Sequence, residues 1–96
     1  MAHIVATITF LRTEDGGRAS PLPAGRVGYI LEINNQNFSC WLLNSGDSVV
    51  KPGDCARLEI VLAAPELAMP LLNEGVDFAL RDEREVARGV VSKVIE

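Results

Sequence analysis

Apolar and polar positions alternate along most of this chain with a period of two. Ile4, Ala6, Ile8 and Phe10 interleave with Val5, Thr7, Thr9 and Leu11, a β-branched pattern that predicts a strand. Val27, Tyr29, Leu31 and Ile33 interleave with Gly28, Ile30 and Glu32 in a second run. A third, "FSCWLL" over residues 38–43, carries the only tryptophan, and its pattern leaves open which face points inward. The stretch "KPGD" over 51–54 reads as a turn, proline presetting φ and glycine supplying a positive φ. Beyond it Ala56, Leu58, Ile60 and Leu62 alternate with Arg57 and Glu59 as a half-buried strand does.

The chain closes with a hairpin pattern. Val76, Phe78 and Leu80 alternate with Asp77, Ala79 and Arg81; "RDERE" connects; residues 86–95 return, with Gly89 expected as a bulge or bend. The sole helix candidate is "APELAMPLLNEG" over 64–75, where Pro65 and Pro70 leave room for one irregular turn. Six strand-like runs with almost no helix predict an all-β fold. At this size a closed barrel is favoured, because closure removes edges that template aggregation. The long segment 63–75 predicts a Greek-key connection across the barrel end.

The 96 residues are read as one domain, 1–96, and 48% hydrophobic against 23% charged residues excludes intrinsic disorder. A net charge of −4 argues against generic nucleic-acid binding and leaves only a local patch at Arg12, Arg18 and Arg26. Cys40, Cys55 and His3 are too few for a zinc site, and two buried thiols are expected in preference to a disulfide. No apolar run approaches the roughly 20 residues of a membrane span. The N-terminal "MAHIVATITF" lacks a basic region and alternates at once, so it reads as strand and not as a signal peptide. A soluble, cytoplasmic setting without membrane contact is the resulting expectation.

Catalytic groups are sparse. His3 reads as a surface-strand histidine, and Ser39-Cys40 and Asp54-Cys55 lack a positioned base. Glu14-Asp15 and Asp82-Glu83, the latter flanked by Arg81, Arg84 and Arg88, have the residue types for cation binding or acid–base work, but in loops they read as solvated charge. "EDGGR" lacks the Gly-Lys-Ser/Thr of a phosphate-binding loop, and "GRVG" over 25–28 has a GxxG spacing that an all-β context deprives of meaning. Neither enzyme activity nor a cofactor is expected. Gly16 and Gly17 are expected to reverse the chain.

Four segments taken together carry a resemblance. "EDGGRASP", "VVKPGDCARLEIVL", "EGVDFALRDER" and "GVVSKVIE" resemble, in order and spacing, the C-terminal β-barrel (domain 3) of bacterial elongation factor Tu. That domain has "EGGRHTP", a "PGD" turn before an alternating strand, "RFAIRE" and "GVVAKV". The resemblance spans almost the whole chain and implies a six-stranded Greek-key closed barrel, here expected as a stand-alone module without the factor's GTPase domain. In the family this barrel docks: it holds the T-stem side of aminoacyl-tRNA, packs on the GTPase domain and meets the exchange factor Ts.

Carried over residue by residue, the resemblance implies binding roles for Arg18, Ser20, Arg26, Asn37 and Asp82. Arg18 stands at the arginine of "GGRHTP", placed for a bidentate phosphate contact, while Ala19 replaces the histidine and Ser20-Pro21 matches Thr-Pro. "RVGY" replaces "RPQF", so Arg26 remains and Gly28 takes the place of a glutamine. Asn37 falls near a T-stem-contacting threonine, and Asp82 replaces the glutamate of "REGGR". The shorter "RDER" loses two glycines and sets Glu83 where backbone would approach RNA. An ion pair with a nearby carboxylate is the structural alternative for Arg18.

The expected function is therefore a non-catalytic protein-interaction module linked to translation. Its partner would be a translation factor, a GTPase, a toxin or a second copy of the chain. Weakened tRNA or RNA binding is the second reading. A small-molecule or metal-binding barrel using Asp82 and Glu83, or Cys40 and Cys55, is the third, disfavoured because small barrels fill their interiors with side chains.

Overall fold

Strands form where the period-two pattern runs: β1 (Ile4–Phe10), β2 (Gly25–Ile33), β3 (Gln36–Asn44), β4 (Cys55–Leu62), β5 (Asp77–Arg81) and β6 (Glu85–Val94) in the computed structural model, which describes residues 2–47 and 49–95. The six close into a barrel in the order β1-β4-β3-β2-β5-β6, each neighbouring pair antiparallel. β2, β3 and β4 are consecutive neighbours, and β5 returns beside β2 after the long connection from β4, which is the predicted Greek key. The proline-bearing segment is the expected irregular turn: a four-residue helix α1 (Pro65–Ala68), then a 3-10 turn (Met69–Leu71). It closes one barrel end by burying Ala68 and Leu72.

The ambiguous face of the third strand is settled by a turn. Asn34 and Asn35 both take left-handed φ, 51° and 61°, as a two-residue hairpin with type I′ twist requires. That tight turn pairs Ile33 with Gln36, and the register then sets Cys40 opposite buried Tyr29. Directly opposed residues share a face. Cys40, Leu42 and Asn44 therefore point inward, and Ser39, Trp41 and Leu43 point out.

Three expectations need correction. Gly89 is neither bulge nor bend: it pairs regularly with Ile8 and Phe78, and the register shifts fall between Val5 and Ala6 and between Leu80 and Arg81. Glycine is required there because a Cβ would stand 2.4 Å from the Phe78 ring. His3 lies just before β1 as a half-buried structural group, its Nδ1 accepting the Leu62 N–H at 3.0 Å. The thiols differ in setting: Cys40 is buried, whereas Cys55, the first residue of β4, is exposed beside Thr9.

Burial pushes the Cys40 thiol from its ordinary value near 9 up to about 12. An unfolded chain releases this proton above about pH 9 while the folded one holds it to about 12. The contribution is thus fully present below pH 9 and is lost as pH rises, by about 1.4 kcal/mol per pH unit. Cys40→Ala is expected to flatten that slope relative to the parent in urea titrations between pH 9 and 11. A slope identical in parent and variant would show that the thiol is not desolvated.

Candidate functional site

The β1–β2 loop, the β3–β4 loop and the β5–β6 hairpin gather at one barrel end, since Phe10, Gly25, Asn44, Cys55, Arg81 and Glu85 all abut it. The first loop opens with a 3-10 turn (Thr13–Asp15), stapled by an ion pair from Arg12 Nε to Asp15 at 3.0 Å. Gly16 ends this turn at φ 95°, and the Gly17 N–H donates back to the Arg12 carbonyl at 3.0 Å. The glycine pair reverses the chain, as expected.

Reversal delivers Arg18 to the β2 wall. Its Nη1 donates to the Tyr29 hydroxyl at 2.8 Å, and its Nε donates to the Ser20 carbonyl at 3.3 Å. Tyr29 is 5% exposed, so its ring is fixed by the core while its hydroxyl emerges as the anchor. Among the described residues no carboxylate comes within ion-pair distance of Arg18. The ion-pair alternative is not what is found: two neutral acceptors hold the guanidinium, and its charge is not neutralised by a partner.

Across from it, exposed Asp82 folds onto its own hairpin, its Oδ1 accepting the Glu83 and Arg84 N–H groups. Gly17, Arg18, Ala19, Asp82, Glu83, Arg84 and Val86 line an open cleft of about 700 Å³. The guanidinium of Arg84 extends toward Gly16, with Nε 4.0 Å from where a Cβ there would stand. Arg18, Ser20 and Asp82 are thus brought to one barrel end. Asn37 is not: it pairs with Glu32 beside the Asn34–Asn35 turn, at the opposite end of β2. Arg26 lies on the outer wall, its guanidinium 4.8 Å from the centre of the Trp41 ring.

That wall is what sequence reasoning missed. Trp41 stands opposite Gly28 on β2 and opposite Val61 on β4, with Leu43 and Ile30 on the same outer face. Trp41, Ile30, Leu43 and Val61 are each half-buried. No local signal marks this patch, because it exists only once three strands are paired.

No protein-family model matches this chain.

The barrel interior is filled by side chains, among them the fully buried Ile4, Ile8, Leu31, Leu42, Ile60, Phe78, Leu80 and Val91. Three groups with chemical reactivity hold structural positions, while the Cys55 thiol is free and exposed. Cys40 is packed in that core, His3 Nδ1 accepts from Leu62, and Asp54 Oδ2 accepts the Lys51 N–H in the "KPGD" turn at 2.9 Å. Among the described residues no three His, Cys, Asp or Glu side chains converge as a metal site, and no helix is long and apolar enough to cross a membrane. The surface presents a charged end cleft and an outer wall with arginine on tryptophan.

Proposed function

We propose that this chain is a non-catalytic binding module, related to the C-terminal barrel of elongation factor Tu, that docks a protein partner acting in or around translation. The observation that carries this reading is the outer wall of β2, β3 and β4, where Trp41, Ile30, Leu43 and Val61 share one face and the Arg26 guanidinium lies over the indole. Tryptophan and arginine supply much of the binding energy at protein interfaces, and charged groups are depleted at their centres. The four family-like segments and their order support the kinship.

RNA binding has weaker support. Arg18 already spends two donors on Tyr29 and Ser20, Glu83 lines the same cleft, and Asn37 stands at the other barrel end. An acidic chain of net charge −4 adds a repulsive field.

The test is recovery of the tagged chain from its native cell, parent beside Trp41→Glu. A discrete protein partner should accompany the parent and be lost from the variant, with the melting temperature of the barrel unchanged. Recovery of the parent alone and monomeric under gentle conditions would overturn the reading. Retention of tRNA on filters at low salt, abolished by Arg18→Ala, would transfer the function to RNA.

A further inference from the structure

Apart from the outer wall, we infer that the backbone edge at the start of β4 takes up an extended peptide segment of a partner, which adds to the barrel as a short strand. The ladder geometry leaves that edge open. In an antiparallel strand the donors and acceptors of alternate residues face opposite neighbours. The Phe10 N–H donates to the Asp54 carbonyl at 2.9 Å and the Ala63 N–H donates to the Ser39 carbonyl at 3.0 Å. Even-numbered residues of β4 therefore address β1, and odd-numbered ones address β3. β3 stops short: its pairing with β4 ends at Leu43 and Glu59, while β1 accompanies β4 on to Cys55. The N–H and C=O groups of Cys55 and Arg57 point where β3 would continue, and among the described residues no hydrogen-bond partner meets them.

A cavity of about 310 Å³ lies along this edge, between Cys55 and Arg57 on one side and Val49 and Val50 of the β3–β4 loop on the other. Asn44 and Ser45, where β3 ends, also line it. Asn44 does not cap the edge, because its amide is committed to Leu22, Pro23 and Gly46. The bonding groups decide what enters. An anion would leave the two carbonyls unmet, and a cation the two amides. Donors and acceptors that alternate at strand spacing are matched by another extended backbone. Size narrows the choice further: the space holds a few residues of a single chain. It does not hold the same edge of a second copy, which would bring its own β3 end and β3–β4 loop with it. Val49, 68% exposed, offers the entering chain an apolar contact. Arg26 and Gly28 of β2 likewise run past the end of β5, but the groove beside Gly28 is lined by strand residues and Asp82, with no loop wall facing it.

The full chain is titrated with a synthetic pentapeptide of alternating valine and threonine, capped at both ends, while hydrogen exchange is followed amide by amide. A copy N-methylated at every residue keeps the side chains and loses the donors. In the free chain the Cys55 and Arg57 N–H groups should exchange fast, and those of Ala56 and Leu58, which address β1, slowly. Saturating peptide should slow Cys55 and Arg57 by about tenfold or more, and the methylated copy should not. Arg57→Pro removes one edge donor without touching the β1 ladder. It should melt near the parent and lose most of the peptide affinity, whereas Arg57→Ala should retain it. If Arg57→Pro does not fold, the methylated copy carries the comparison. Slow exchange of Cys55 and Arg57 in the free chain, no binding of the unmethylated peptide, equal binding of the methylated copy, undiminished binding by folded Arg57→Pro, or a response at Gly28 in their place would each overturn the inference. Trp41→Glu should take up the peptide as the parent does, so failure at this edge leaves the outer-wall reading standing.

Discussion

Gly89→Val is expected to destabilise the barrel by about 3 kcal/mol, a large share of what holds a domain of this size together. The Phe78 ring crosses the barrel interior directly over this glycine, so that even a Cβ would lie 2.4 Å from Cζ and 2.7 Å from Cε1. Phe78 is 2% exposed and walled by core residues, which leaves the ring no open direction in which to retreat. Close-packed interiors transmit such a clash to neighbouring strands instead of absorbing it. Here those strands are β1 and β5, which pair with Gly89 through Ile8 and Phe78. Phe78→Leu in the same chain should restore part of the loss, whereas Phe78→Ala alone should cost about 3–5 kcal/mol by leaving a void. Urea denaturation of the parent, Gly89→Val, Phe78→Leu and the double variant closes a double-mutant cycle and yields the coupling. Additive effects would mean that the ring and the glycine are not in contact.

Asn44→Leu is expected to cost about 2–3 kcal/mol although the two side chains are similar in size. Asn44 is the one polar side chain in the core among the described residues, 7% exposed. Its Nδ2 donates to the Leu22 and Pro23 carbonyls at 3.2 and 3.0 Å, and its Oδ1 accepts the Gly46 N–H at 3.3 Å. One amide thus ties the β1–β2 loop to the start of the β3–β4 loop across the barrel end. Leucine would fill the volume and leave these backbone groups without their partner, and an unmet buried acceptor costs more than a made bond returns. Hydrogen exchange gives the local readout. The Leu22 N–H, bonded to the Val50 carbonyl at 2.8 Å, should lose protection well before the strands do. An unchanged urea midpoint in Asn44→Leu would show that the network does not hold the loop.

The candidate site was only partly legible. Arg18 could be flagged from the motif around it, but not Tyr29, its anchor eleven positions on, which reads locally as one more core aromatic. Likeness to the family pattern groups Asn37 with Arg18. The barrel sets it near the tip of the β2–β3 hairpin, because a tight two-residue turn leaves it opposite Glu32. The two adjacent asparagines that make this turn are themselves a local signal, since Asn tolerates left-handed φ. Trp41 was visible as a residue and invisible as a surface.

What the amino-acid order determined by itself was the set of strands, their closure and the long crossover. Alternation at period two is a property of each segment alone, and Pro65 and Pro70 shorten the helical turn whatever surrounds them. What only the tertiary structure decided was which side of residues 38–43 faces the core, why position 89 must be glycine, and which side chains share a groove. Each depends on the partner that register places across the strand, and register follows from turn geometry and barrel closure acting between residues far apart in the chain.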